Sequence, residues 1–422
     1  MGIFRWGFRA NVKVHSGSDS VVLKSRNDDN QTLKDLIATK VSLVDPSKKL
    51  WLNPLLFNGT LQTLYYASAK SDDKFLVWYG RELYHFVQGG VCSFDWVIPP
   101  QDKEEFDKLY KETLPEGFPR LHPRTRYFTE TELEKVRAVE VENKRPILAV
   151  IHGLNGGSHE PLIRDLAVLL TTNDHQDKWD VVVLNCRGCC RTKITTGQLF
   201  TALSTEDVHE TLSELRRRYP NRPIYAAGFS FGAAMLANYL GGPHENKVDL
   251  KAVSLVGCPW DMVAGVSHMG SSWSGRYLFA PALTTFLFKL VKSNYGELQR
   301  HNPEFFTDEL LHKLRTEVKA PDQFDDVVTS KFLGYRNALE YYKEASPVHR
   351  ISGISVPTLV VNSTDDPVTT CDLPVDKFKA NKHTILVETD LGGHLGYVTS
   401  DKQFWCSKVA EQFFTEFEKS VA

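Results

Sequence analysis

Polar and apolar positions along the chain fall into three regimes. Residues 1–70 mix the two without a sustained period, and breaks such as Asn27-Asp28-Asp29-Asn30 and Asp45-Pro46-Ser47 predict loops and short elements. From residue 75 the pattern becomes strand-like, with runs at 75–79, 82–87 and 91–97, the last two divided by Gly89-Gly90. Apolar and aromatic runs separated by such a turn predict antiparallel strands. A charged, Pro-containing stretch over 99–146 leads to Ile147-Leu148-Ala149-Val150-Ile151, a continuous apolar run of the kind a strand buried on both faces requires.

The third regime alternates. Helical patterns at 163–170, 206–219 and 233–240 interleave with strand patterns at 181–184, 224–227 and 252–256. Such alternation predicts a mostly parallel central sheet with helices on both faces, an α/β architecture. It lapses over 259–345, where aromatic helical segments replace it, and resumes with strands at 358–361 and 384–387 and a helix at 404–417. The expected organisation is therefore an N-terminal extension packed on the core (1–70), a core (71–259 and 346–422) and a helical cap insertion (260–345). No internal repeat or long low-complexity tract is evident.

Composition narrows the function classes. With 42% hydrophobic and 24% charged residues among 422, the chain has the makings of a globular protein with a sizeable core. A formal net charge of -2, with no basic field beyond Arg216-Arg217-Arg218, excludes the electrostatic footprint of a nucleic-acid binder. Seven cysteines, three of them crowded at 186, 189 and 190 without a second Cys/His pair at zinc-finger spacing, argue against a metal site. No apolar segment of secretory type follows the N-terminus, so an intracellular, reducing location with free thiols is expected. Met1-Gly2 opens like an acylation site, but Trp6 stands where Ser or Thr is required. The longest apolar stretch, 277–291, is interrupted by Thr284, Thr285 and Lys289; it is too short to span a bilayer, and peripheral contact with a lipid surface is the remaining expectation.

Gly228-Phe229-Ser230-Phe231-Gly232 fits G-x-S-x-G between a predicted strand and a predicted helix. There the glycines permit a sharp strand-to-helix turn that projects a serine hydroxyl from the sheet, while the helix aims its first amides at developing negative charge. The bland alternative is a Gly-rich helix start capped by Ser. Placement at a strand end favours the first, and it predicts an α/β-hydrolase fold with Ser230 as nucleophile.

A serine needs a base to take its proton and an acid to orient that base, in chain order Ser, acid, His for this fold. Of fourteen histidines only His383 and His394 lie beyond the strand expected to lead to the acid. His383 heads a predicted strand, whereas His394 follows Leu391-Gly392-Gly393 in a loop and is the expected base. Asp365 and Asp366 both follow the strand at 358–361. Asp366, fixed by Pro367, is the preferred acid, and Asp365 the alternative with a turn or capping role. His152-Gly153-Leu154-Asn155-Gly156-Gly157 ends the first parallel strand, so the backbone amides of Leu154 and Phe231 are the expected oxyanion donors, with His152 structural. No cofactor or metal is implied.

With these residues in place, the chain resembles the α/β-hydrolases that include plant embryogenesis-associated and bacterial hydrolase-like members, and among them the fungal medium-chain fatty acid ethyl ester synthase/esterases. The likeness rests on Leu61-Gln62-Thr63-Leu64, Gly90-Val91-Cys92 with Asp95-Trp96, His152-Gly153-Leu154 through Gly157-Ser158-His159-Glu160-Pro161, and Asn185-Cys186-Arg187-Gly188-Cys189. It continues in Ala237-Asn238-Tyr239-Leu240-Gly241, Pro259-Trp260-Asp261, Asp365-Asp366-Pro367-Val368 and Gly392-Gly393-His394-Leu395, covering nearly the whole chain. The resemblance implies a triad of Ser230, Asp366 and His394, acyl transfer from medium-chain acyl-CoA to ethanol, and hydrolysis of the resulting esters. It also implies a cytoplasmic location or peripheral association with lipid droplets or the mitochondrial outer membrane. Phe229 and Cys189-Cys190 depart mildly from the pattern, which leaves chain-length preference open.

Nine aromatics of the expected cap (Trp273, Tyr277, Phe279, Phe286, Phe288, Phe305, Phe306, Phe332 and Tyr335) are candidate walls of an acyl pocket, although each alone is more simply read as packing. An acyltransferase-like pair, His175 and Asp180, is discounted because short motifs recur by chance and Asp180 opens a buried strand. Competing readings are a monoacylglycerol lipase or broad carboxylesterase of the same chemistry, and a non-catalytic lipid-binding protein on the same fold. A binder requires none of Ser230, Asp366 and His394.

Overall fold

The computed structural model describes residues 8–26, 30–69, 74–172, 179–369 and 372–422. Met1, Gly2, Trp6 and His175 lie outside the described residues. The strands, in chain order, are β1 (Arg9–His15), β2 (Val22–Leu23), β3 (Gln31–Thr32), β4 (Lys49–Trp51), β5 (Trp78–His85), β6 (Val91–Ile98) and β7 (Thr125–Tyr127). They continue with β8 (Ile147–Ile151), β9 (Asp180–Asn185), β10 (Ile224–Phe229), β11 (Val253–Val256), β12 (Thr358–Ser363) and β13 (Thr384–Thr389). Eleven of them form one sheet in the order β4-β1-β13-β12-β11-β10-β8-β9-β6-β5-β7, and β2 and β3 pair separately. The six strands from β13 to β9 are mutually parallel, flanked by antiparallel β1 on one side and β6 on the other.

Period-two alternation splits the central strands between two cores. Leu148 and Val150 of β8 pack with the helices Leu33–Lys40, Pro161–Thr171 and Trp405–Ser420. Ile147, Ala149 and Ile151 pack with Thr205–Arg218 and Phe231–Gly241 on the other face. All five residues of β8 are buried, as its uninterrupted apolar run predicts.

The two strands expected at 75–79 and 82–87 are a single strand, β5, hairpinned to β6. The reason lies in its charged centre. Arg81 sits directly opposite Asp95 in the register, and the pair is fully buried with Arg81 Nε 2.7 Å from Asp95 Oδ1. Charges in the middle of a strand read as a break, but here each is satisfied by the other. The N-terminal residues do more than cover the core: β1 pairs along β13 and β4 pairs with β1, extending the sheet at the edge beside the last strand.

Between β11 and β12 the chain forms only helices, among them Met262–Ser271, Ala280–His301, Asp308–Thr316, Pro321–Val327 and Ala338–Ala345. No helix of the described residues is long and apolar enough to cross a membrane.

Candidate active site

Ser230 stands between β10 and the helix Phe231–Gly241 with φ +51° and ψ -117°, a left-handed conformation unusual for a side chain with a Cβ. Neighbours hold it there. Its amide donates to Val256 O at 2.9 Å, and the flanking glycines leave no room for anything larger. A Cβ on Gly228 would lie 2.7 Å from Ala233 Cα, and one on Gly232 would lie 2.3 Å from His152 O. Close backbone approach is thus the reason for glycine at both positions.

The loop after β13 brings His394 to the serine. His394 Nε2 is 2.7 Å from Ser230 Oγ, and His394 Nδ1 is 2.7 Å from Asp366 Oδ2. A carboxylate only accepts, so Nδ1 carries the proton and Nε2 accepts from the serine hydroxyl. Asp366 is buried, and its other oxygen accepts from the amides of Val368 (2.8 Å) and Thr369 (3.0 Å). Burial alone would raise this carboxyl, but the His394 ring, its hydrogen bond and the two amides outweigh it and hold the group below the usual carboxylate range.

Asp365 does something different. Its Oδ1 accepts from Ser363 Oγ (2.6 Å) and from the amides of Gly392 (3.0 Å) and Gly393 (2.8 Å), so it clamps the loop that carries His394. Burial pushes its carboxyl up to about 6.

The same loop rests on the N-terminal helix Gly59–Ser68, which starts at Asn58 with a side-chain cap to the Leu61 amide. Thr63 Oγ1 accepts from the His394 amide at 2.8 Å, and Gln62 Oε1 accepts from the Val398 amide at 2.7 Å. A Cβ on Gly393 would lie 2.3 Å from Gly59 O. The supporting roles of Gln62 and Thr63 have no local signature beyond their place in the Leu61-Gln62-Thr63-Leu64 segment, whereas for Asp365 the sequence already offers a turn or capping role beside Asp366.

His152 is buried with both ring nitrogens engaged. Nε2 accepts from the Cys186 amide at 3.0 Å, so Nδ1 donates to Gly153 O at 2.6 Å. Burial lowers its pKa, so it holds the loop 152–157 as a neutral ring. That loop abuts the serine: a Cβ on Gly153 would lie 3.5 Å from Ser230 Cβ.

Leu154, Ser230, Phe231 and His394 all face one cavity of about 140 Å³. Its remaining walls are mainly apolar, drawn from Leu199, Phe200, Pro259 and Val368 of the core and from Met262, Val266, Met269, Leu283, Leu287, Leu290, Phe324, Tyr341 and Tyr342 of the helices between β11 and β12. None of the nine aromatics singled out from the sequence lines it. Trp273 and Tyr277 are exposed, whereas Phe279 and Phe306 pack within their own clusters. Helix periodicity decides this: Leu283, Leu287 and Leu290 recur at i, i+4 and i+7 on the inward face, which Phe286 and Phe288 do not share.

Elsewhere among the described residues, His122, His159 and Cys190 bring three metal-ligand atoms within 4.8 Å of one another. The two imidazoles stack, however, with centroids 3.9 Å apart and planes at 3°, so an ion on one ring's lone pair lies off the plane of the other. Arg81 Nη2 also donates to Cys190 Sγ at 3.3 Å, placing a positive charge against the thiol.

A serine on a strained strand-to-helix turn, joined through one histidine to a buried aspartate, defines a serine-type α/β hydrolase of the esterase class. A family model described as the alpha/beta hydrolase fold matches residues 146–401, and the chain belongs to that family. It is 42% identical over 447 residues to medium-chain fatty acid ethyl ester synthase/esterase 2 of Saccharomyces cerevisiae, covering 99% of this chain and 97% of that protein. It is 32% identical over 388 residues to a monoacylglycerol lipase of the same yeast (90% and 84%), and 28% identical over 328 residues to phospholipase ABHD3 of Bos taurus (76% and 67%).

Proposed function

We propose that this protein forms and hydrolyses medium-chain fatty acid esters through an acyl-enzyme on Ser230, with His394 as general base and acid and Asp366 as its orienting carboxylate. The observation that carries the reading is the continuous hydrogen-bonded line from Ser230 Oγ through His394 to Asp366, opening at the serine into an apolar cavity. The likeness to a yeast ester synthase/esterase supports the same choice of substrate.

In the first half-reaction Ser230 Oγ attacks the acyl carbonyl carbon as its proton passes to His394 Nε2. The oxyanion forms against the amides of Leu154 and Phe231, donors worth several kcal/mol when aimed at the developing charge. Collapse breaks the bond to the leaving thiol of CoA or the leaving alcohol, which takes the proton from His394. In the second half-reaction water or ethanol gives its proton to His394 and attacks the acyl-enzyme, releasing fatty acid or ethyl ester and restoring Ser230. The chain's own side chains and amides supply every group in this sequence. Residues 260–345 act as a cap that lines the acyl site and restricts water, which sets the partition between hydrolysis and alcoholysis.

Two measurements test the proposal. A fluorophosphonate probe is expected to label the wild type and not Ser230→Ala; an unlabelled wild type favours a lipid-binding protein. Product analysis with octanoyl-CoA and ethanol is expected to yield ethyl octanoate and CoA. Turnover confined to monoacylglycerol in water would instead identify a monoacylglycerol lipase.

A further inference from the structure

The apolar cavity contains one carboxyl. Asp325 lies on the short helix Pro321–Val327, half-buried, and lines the cavity together with Phe324 and Thr329. Its hydrogen bonds stay within the insertion: Thr329 Oγ1 donates to Oδ1 at 2.5 Å and Tyr342 Oη donates to Oδ2 at 2.6 Å. Ser230 and His394, by contrast, follow the carboxyl ends of β10 and β13. Leu283, Leu287 and Leu290 line the same cavity as Ser230 and give roughly 10 Å of apolar helix face, at 1.5 Å per residue, for an acyl chain esterified to the serine. Asp325 is the carboxyl that shares the cavity with such a chain.

We propose that Asp325, held by Thr329 and Tyr342, is the residue that limits acyl chain length by placing a polar boundary in an otherwise apolar pocket. The inference rests on the acyl-enzyme reading and adds its substrate limit. Each oxygen of Asp325 takes one hydroxyl donor and keeps further acceptor capacity toward the cavity. An alkyl terminus offers no donor. A chain long enough to cover the carboxyl strips its remaining hydration and supplies nothing in return, an unfavourable exchange. A shorter chain stops on the leucine and methionine walls and gains from each methylene it buries. Burial raises the Asp325 carboxyl to about 6.

The test pairs a nearly isosteric polar substitution, Asp325→Asn, with an apolar and somewhat larger one, Asp325→Leu. Hydrolysis of p-nitrophenyl esters from butanoate to hexadecanoate is measured for the wild type, Asp325→Asn and Asp325→Leu, with fluorophosphonate labelling as the control for the serine itself. Asp325→Leu is expected to raise the ratio of kcat/KM for dodecanoate over octanoate by about tenfold or more, the gain of burying a few methylenes. Asp325→Asn keeps a polar boundary and is expected to leave the ratio within about threefold of wild type. An unchanged profile in Asp325→Leu, or an equal shift in Asp325→Asn, overturns the proposal. Should Asp325→Leu not fold, Tyr342→Phe removes one donor and exposes more acceptor to the cavity; the ratio is then expected to fall about threefold, and no change overturns the proposal. Absence of labelling in the wild type marks failure of the acyl-enzyme reading and is distinct from either result.

Discussion

Thr63 Oγ1 accepts a 2.8 Å hydrogen bond from the backbone amide of His394, across 331 residues of sequence. The same hydroxyl donates to Gly59 O at 2.7 Å, so a helix near the N-terminus fixes the height of the imidazole over Ser230. Thr63→Val keeps the shape and removes both hydrogen bonds, leaving a buried amide without its acceptor at a cost of about 1–3 kcal/mol. The expected outcome is a lower melting temperature together with about a tenfold fall in kcat, because a small misplacement of a reacting group is costly. KM for p-nitrophenyl octanoate is expected to stay near wild type. Unchanged kcat would show that the loop holds His394 without the N-terminal helix.

Asp365 and Asp366 are neighbours with separable tasks. Asp366→Asn replaces the acceptor of His394 Nδ1–H with a group that favours the wrong tautomer, and kcat is expected to drop by about three to four orders of magnitude with little change in melting temperature. Asp365→Asn retains an oxygen for the Gly392 and Gly393 amides, so kcat is expected within about threefold of wild type. Asp365→Ala removes that oxygen and is expected to destabilise the fold by about 1–3 kcal/mol for each buried amide left unpaired. Steady-state kinetics and thermal melts on the three variants distinguish the roles; equal kcat losses in Asp365→Asn and Asp366→Asn would refute the division.

A third buried acid makes stability depend on pH. Asp165, on the helix Pro161–Thr171, accepts from the Phe404 amide at 3.0 Å, and burial raises its carboxyl to about 6 from an ordinary value of 3.8. The folded chain keeps this proton up to about pH 6, whereas the unfolded chain releases it near 3.8. Between those values the folded state binds more protons, so this group's contribution to stability falls as pH rises, by a total on the order of 3 kcal/mol. Asp165→Asn keeps an acceptor for Phe404 and removes the titration. Its unfolding free energy relative to wild type is expected to improve steadily from pH 4 to pH 7 in urea titrations. Parallel curves for the two proteins would contradict the shift.

What the sequence revealed depended on how local each determinant was. Ser230 sits on a strand, turn and helix that are contiguous in the chain, so five residues were enough to mark them. The parallel strands were equally plain because each is a short apolar run between helices. β1 was not recognised, although Ala10 and Val12 alternate inward, because its partner β13 lies more than 370 residues away. β5 was split in two because Arg81 balances Asp95 only across the hairpin. Of the aromatics singled out over 260–345, the buried ones pack, as each taken singly suggests, and the set does not form the pocket wall, because a count ignores which face of each helix turns inward and the inward positions are held mostly by Leu and Met. Asp325 and Thr63 act through neighbours that folding alone assembles.

Gly232 and Gly296 both lie in helices but in opposite surroundings. Gly232 follows the serine by two residues, and a Cβ there would lie 2.3 Å from His152 O and 2.5 Å from Ile151 O, backbone atoms at the end of β8. Those atoms belong to the sheet and to the loop carrying Leu154, so the helix must shift away and take Ser230 with it. Gly232→Ala is expected to cost about 1–3 kcal/mol from overpacking and to lower the rate of fluorophosphonate labelling at least about a hundredfold. Gly296 lies in the helix Ala280–His301 with nothing within 4 Å of the added methyl. Gly296→Ala is expected to stabilise the protein by about 0.5–1 kcal/mol through helix propensity alone, with labelling unchanged. Gly232→Ala labelling at the wild-type rate would mean that the close approach of helix and strand does not set the position of the serine.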